Sequence, residues 1–239
     1  MNPEQGSSYQ ITLKRSQKRK TVAIQIYPDR RVVVSVPIRV SDQKVQEFLA
    51  AKHGWILKTL QKFSALGPVR AARKFVNGEL YSHLGVEKKL NLLRVGNKKP
   101  EMDDQHLHVF LPAHTAPDRE ADRIKASLEK WYQAEAYVIC GARVAHYSHL
   151  MKLAPKSIQI KNYRTRWGTC KSTGEVSFNW RLAMAPLSLL DYVVVHELAH
   201  LKHHHHGPKF WKLVREFYPS PEKAKKELQA LDYRGELRF

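Results

Sequence analysis

His196-Glu197-Leu198-Ala199-His200, with His206 shortly beyond, reads H-E-x-x-H-x-x-x-x-x-H. Two imidazoles four residues apart on a helix sit about one turn apart on the same face, so both can reach one metal ion. The carboxylate beside the first His can then act on a water held by that ion. On a strand the two His would also share a face, but roughly 13 Å apart at about 3.3 Å per residue, too far for one ion. The metal reading therefore demands a helix.

The flanking residues supply one. Pro186 suits a first turn and Gly207-Pro208 bounds the far end. Between them run Leu189, Leu190, Tyr192, Val193, Val194, Val195, Leu198, Ala199 and Leu201. The Val193–Val195 triplet favours strand, but the run from Leu187 to about His203 is too long for an ordinary buried strand. A helix apolar nearly all round is buried, and two His and a Glu inside it are costly unless paired or metal-bound. The plainer alternative is a chance match, with His203 to His206 a solvated tract that binds metal loosely. The residues alone leave the third donor open among His203, His204, His205 and His206.

Arg166-Trp167-Gly168-Thr169-Cys170, Phe178-Asn179-Trp180-Arg181-Leu182, the Leu190–His200 run, His206 and Phe210-Trp211 together resemble the YgjP-like metal-dependent hydrolases. These are bacterial zincin-type proteins related to the SprT-like metalloproteases. The resemblance spans nearly the whole chain and is most specific from Tyr163 to Trp211. It implies that His196, His200 and His206 bind zinc and that Glu197 is the catalytic base. Thr169 stands where Ser is usual, and His203 to His205 fill a stretch of otherwise mixed residues.

The chain has 239 residues, with 41 Lys+Arg against 22 Asp+Glu and a formal net charge of +19. That excess attracts polyanions and says nothing about fold. Two cysteines, Cys140 and Cys170, make neither a disulfide framework nor a Cys-x-x-Cys site, so a reducing compartment is expected. Cys140 reads as core; Cys170 reads foremost as a buried structural thiol, or else as a residue bordering the site. Met1 to Tyr9 carries no apolar leader, and no apolar run approaches a membrane span. These features predict a cytoplasmic protein with no membrane contact.

Residues 9 to 112 read mostly as strands. Val22, Ile24 and Ile26 alternate with polar residues, and Pro28-Asp29-Arg30 turns the chain into Val32 to Pro37. A helix starts at Ser41 as N-cap and carries Val45, Phe48, Leu49, Ile56 and Leu60. Gly67-Pro68 breaks it. Asn77-Gly78 predicts a hairpin between Phe75-Val76 and Leu80-Tyr81. Strands follow at Lys89 to Val95 and Leu107 to Leu111. Past Pro112–Pro117 a long helix runs from about Asp118 to Leu150, with Ala121, Ile124, Leu128, Trp131 and Val138 on its stripe. Ser157–Ile160 and Glu175–Leu182 read as strands, followed by the motif helix, a helix through Phe210, Val214 and Phe217, and a last one from Ser220-Pro221-Glu222. The fold class is α+β, with a strand-rich region over 1–114 and a helical, zincin-like region over 115–239.

Lys14, Arg15, Lys18, Arg19 and Lys20 read as a solvated basic turn between two strands, or else as a grip for phosphates. Arg164 and Arg166 are candidate substrate contacts near the metal helix in sequence, or else loop braces. Trp167, Trp180 and Trp211 read as core aromatics. Three neutral imidazoles would leave zinc (Zn2+) one open position, which predicts a zinc-dependent hydrolase, foremost a metallopeptidase acting on peptide or protein. A metal-dependent nucleotide phosphohydrolase, such as a nucleoside triphosphate pyrophosphatase, would use the same ion and give the positive charge a role. A nucleic-acid-binding protein with a structural metal is the third reading, although structural zinc sites are usually Cys-rich.

Overall fold

The computed structural model describes residues 9–27 and 29–239, and the chain divides between Arg70 and Ala71 into two units. The strand-rich region expected over 1–114 therefore spans both units. Pro28, expected in the first turn, lies outside the described residues, as do residues 1–8 of the segment read for a leader.

In the first unit the alternating pattern forms the expected hairpin. Strand β2 (Ala23–Ile26) runs antiparallel to β3 (Arg31–Pro37) with Ile24 opposite Val34. Strand β1 (Gln10–Ser16) lies parallel on the other side of β3. As the central strand, β3 buries Val32, Val33, Val34 and Val36, which accounts for a run apolar on both faces. Ser41 caps helix α1 (Asp42–Ala65) by accepting from Lys44 N at 3.4 Å. Val45, Ile56 and Leu60 close a small core with β3. The basic cluster is not wholly a turn: Lys14 and Arg15 lie inside β1, and only Lys18 to Lys20 follow it. An edge strand accepts exposed charges at its outer positions. Arg15 uses its charge locally, donating to Val40 O at 2.6 Å and pairing with Asp42.

In the second unit, β4 (Leu80–His83), β5 (Val86–Leu93), β6 (Glu101–Met102) and β7 (His106–Phe110) form a sheet in the order β4-β5-β7-β6. The hairpin expected at Asn77-Gly78 is displaced. Phe75 and Val76 form no strand; instead Asn77 Oδ1 accepts from Leu92 N at 2.9 Å and Gly78 N donates to Leu90 O at 2.8 Å. The turn residues are consumed in bonds to β5, and the β4–β5 hairpin turns at Leu84-Gly85, where φ is 49° and 82°. That tip is docked on the residues leading into the motif helix. Leu84 N donates to Ala183 O at 2.8 Å, and Gly85 N to Met184 O at 3.1 Å.

A Cβ on Gly85 would meet Pro186 Cα at 3.0 Å and Cγ at 2.9 Å. Gly85→Ala thus combines a left-handed backbone with a clash against backbone, and is expected to cost roughly 2–4 kcal/mol. Thermal or urea unfolding of the variant checks this.

Helix α2 (Pro117–Met151) buries Ile124, Leu128, Tyr132, Ala136, Cys140, Val144, Tyr147 and Met151. The expected stripe was partly misplaced: Ala121 is exposed and Val138 is 67% exposed. The buried line advances mostly by fours, so Tyr132 and Ala136 take the inner positions. Tyr132 also donates to Ser82 O at 2.7 Å, tying α2 to β4. Strand β10 (Glu175–Asn179) is flanked by parallel β8 (Ser157–Lys161) and antiparallel β9 (Gly168–Cys170). β9 was not among the expected strands. β10 ends before Leu182 because Asn179 Oδ1 accepts from Arg181 N at 3.2 Å and starts a 3-10 helix, Trp180–Met184.

Helix α3 (Leu187–Ala199) follows, then α4 (Pro208–Phe217) and α5 (Pro221–Tyr233). α3 is buried nearly all round, as its composition requires. Arg143 of α2 holds it through a two-pronged ion pair with Asp191, at 2.6 and 2.9 Å. The architecture is α+β, and among the described residues no helix is long and apolar enough to cross a membrane.

Candidate metal centre

Helix α3 carries His196 and Glu197 in its last turn and ends on His200, its C-cap. The helix was expected to continue to about His203. It stops because the His203 carbonyl turns back to His200 Nδ1, 3.1 Å away, so residues past Ala199 form a turn. The turn leads His206 back over the helix end. Ring centroids of His196, His200 and His206 stand 4.8 to 5.0 Å from one another. One ligating atom from each lies within 4.8 Å of the others.

The Phe210 ring supports all three imidazoles at centroid distances of 5.0, 4.5 and 4.8 Å. Trp211 stacks on His206 at 5.7 Å. Trp211 is thus a wall of this site and only half-buried, unlike Trp180, which is fully buried as expected. Its position follows α4, whose Phe210 faces inward and leaves the next residue at the rim. Trp167 is likewise half-buried.

The donor chemistry suits a divalent ion. His206 Nε2 faces His196 Nε2 at 3.1 Å. Two nitrogens sharing one tetrahedral ion at about 2.05 Å would stand about 3.3 Å apart. The His203 carbonyl occupies His200 Nδ1, so Nε2 is the atom His200 could offer a metal. Burial, then the neighbouring His200 and His206, pull His196 down to about 3, and burial also lowers His200. Both are neutral at pH 7, the form that ligates metal. His196 Nδ1 is buried and has no hydrogen-bond partner among the described residues. Glu197 is 6% exposed, and burial pushes its carboxyl up to about 8. A buried carboxyl beside uncharged imidazoles is a place where a cation lowers the electrostatic cost.

β9 packs against α3 and completes the site from the other side. A Cβ on Gly168 would lie 2.7 Å from both Cγ and Oε1 of Glu197. Only a glycine lets the strand backbone approach the carboxylate this closely. Cys170, expected as a buried structural thiol, is half-buried; burial pushes it up to about 11, and the Glu197 charge adds to that. It borders the site because it lies two residues along β9 from Gly168, on the same side of the strand.

Arg164 and Arg166 sit exposed on the segment between β8 and β9. Buried Asn179 holds that segment, donating from Nδ2 to Tyr163 O and Arg166 O, both at 2.9 Å. Tyr163, Thr169 and Ser177 join their hydroxyls at 2.7 to 3.2 Å. Burial raises the Tyr163 phenol, but its bonds to Ser177 and Thr169, with Lys161 and Arg166 nearby, outweigh that and hold it below its ordinary value. Gly168, Asn179 and Phe210 were the positioning residues that sequence reasoning left without a role. An Asn at the end of an apolar strand was the readable signal for Asn179. Gly168 had no local signal, because its contact is with a residue 29 positions away.

A family model described as YgjP-like, metallopeptidase domain, matches residues 20–231. Among solved structures, the chain is similar to the metallopeptidase zymogen of Pyrococcus abyssi abylysin. The two are 17% identical over 38% of this chain and 91% of that one, with a TM-score of 0.36. It is also similar to the metallopeptidase zymogen of Methanocaldococcus jannaschii jannalysin, 22% identical over 39% of this chain and 94% of that one, with a TM-score of 0.34. No curated protein matches the chain.

Proposed function

Because this chain belongs to the YgjP-like metallopeptidase family and is a metal-dependent hydrolase, we propose that it is a zinc peptidase with Glu197 as its general base. The observation that carries this reading is the convergence of His196, His200 and His206 within 4.8 Å, beside the buried Glu197. These three imidazoles would hold the ion. Zinc held there supplies a Lewis acid that polarises a carbonyl and makes water acidic near neutral pH. Glu197 accepts the proton of the attacking water and returns it to the departing amine. Gly168 keeps the carboxylate aimed by letting β9 rest against it.

β9 favours a peptide over a nucleotide as substrate. Among the described residues it pairs only with β10, so it is an edge strand. Trp167 O accepts from Asn179 N and Lys171 N donates to Glu175 O, both toward β10. Alternation along an antiparallel strand then turns the N–H and C=O groups of Gly168 and Cys170 outward. An extended peptide can add to such an edge through its own backbone, which a nucleotide lacks. Gly168 would bring that peptide alongside Glu197. The zinc-loaded chain, offered fluorogenic peptides and nucleoside triphosphates in parallel, is expected to cleave peptides. Pyrophosphate release without peptide cleavage would overturn the reading.

The third ligand can be tested separately. His206 faces His196, whereas His203 contributes its carbonyl to His200, and His204 and His205 are exposed. His206→Ala is expected to weaken zinc retention by about 10–100-fold or more, the scale of damage at such sites. His204→Ala should leave it unchanged. Zinc dissociation measured with a chromogenic chelator distinguishes them, and equal loss in both variants counts against His206.

A further inference from the structure

Away from α3, a second group of ligating atoms gathers where β6 turns into β7. One donor atom from each of Asp103, His106 and His108 lies within 4.8 Å of the others. Strand alternation explains the pair of imidazoles: Leu107 and Val109 enter the core, so His106 and His108 share the opposite face. Asp103 is fixed over the start of that face. Its Oδ1 accepts from Gln105 N at 2.7 Å and His106 N at 2.6 Å. Its Oδ2 stands 2.9 Å from His108 Nε2, and Oδ1 stands 3.6 Å from His106 Nδ1. On β5, Asn91 is the register partner of His108 and donates from Nδ2 to its Nδ1 at 3.1 Å. That bond leaves the ring hydrogen on Nε2, pointing at Asp103. Glu101 is directly opposite His108 in the β6–β7 pair, so both side chains leave the same face. Lys89 is the register partner of His106 and is exposed, with room to turn away.

We propose that Asp103, His106 and His108 form a second metal site, for a first-row divalent transition ion such as Zn2+, with Glu101 placed to add a fourth donor. Two imidazoles with carboxylate oxygens select such an ion over Mg2+ or Ca2+, which prefer all-oxygen shells. On binding, the ion takes the Nε2 lone pair that faces Asp103 Oδ2, and the ring hydrogen moves to Nδ1, where the Asn91 amide, turned over, accepts it through Oδ1. Asn91 orients the His108 ring from behind, as outer partners of metal-bound imidazoles do. All four donors come from residues 101–108, so the ion would clip two-residue β6 onto β7. This site does not depend on the zinc-peptidase reading of α3.

The test is zinc stoichiometry of the full chain, stripped with chelator and dialysed against micromolar free zinc. Wild type is expected to hold two equivalents. Asp103→Asn, which keeps the backbone turn, and His108→Ala are each expected to hold one and to keep peptidase activity. His200→Ala should lose the other equivalent, so failure at α3 reads separately from failure here. In the His200→Ala background, zinc should raise the melting temperature, and adding His108→Ala should remove that rise. Zinc bound by the His203–His205 tract would leave Asp103→Asn and His108→Ala at the wild-type stoichiometry. That result, or a single equivalent in wild type that His200→Ala abolishes, would overturn the proposal.

Discussion

Glu197→Gln is expected to lower peptide turnover by about 10²–10⁴-fold, the usual cost of removing a general base, while zinc content stays at the wild-type level. The side chain leaves α3 between His196 and His200 and is 6% exposed, packed against the Gly168 backbone. The amide has nearly the same shape, so the packing survives and only the proton-accepting capacity goes. Metal analysis, circular dichroism and peptide hydrolysis on one preparation separate the outcomes. A zinc-replete, folded variant with wild-type turnover would refute Glu197 as base. Loss of zinc would instead make it a ligand.

Gly168→Ala is the second large effect. The new methyl would sit 2.7 Å from Glu197 Cγ and Oε1 and 2.9 Å from Cδ, so the carboxylate must move. Gly168 has an ordinary backbone conformation, so alanine there brings no strain of its own. The damage falls on the aim of Glu197 and on the approach of an extended substrate. A misplacement of about 1 Å at a reacting group costs on the order of 10²-fold. We expect a kcat loss of about that size, with zinc content intact. Glu197→Asp draws the carboxylate back toward the helix, so the double variant should lose less than the product of the single losses. Strict multiplicativity would mean that Gly168 acts elsewhere. Gly85→Ala should behave in the opposite way, with lower stability and little change in the turnover of the folded fraction.

Much of the candidate site was legible from residues 186 to 208 alone. One helix turn brings His196 and His200 together whatever surrounds them, and an apolar run of that length between Pro186 and Gly207-Pro208 had few other conformations open to it. The α+β class was legible for the same reason, since alternation and helical periodicity are local. Three things depended on tertiary structure. Asn77-Gly78 had every local mark of a hairpin, but its polar groups bonded to β5 and the reversal moved to Leu84-Gly85. By spacing alone His206 was one of four adjacent candidates, with only the family resemblance to favour it; that it points at His196 while the His203 carbonyl turns to His200 is a matter of the turn after Ala199. Gly168, Cys170 and Trp211 gained their places only when β9 and α4 packed around α3. Spacing along one helix is set by backbone geometry, which the residues carry with them. The approach of a strand backbone to a carboxylate 29 positions away is set by the burial of the whole core, and no local pattern records it.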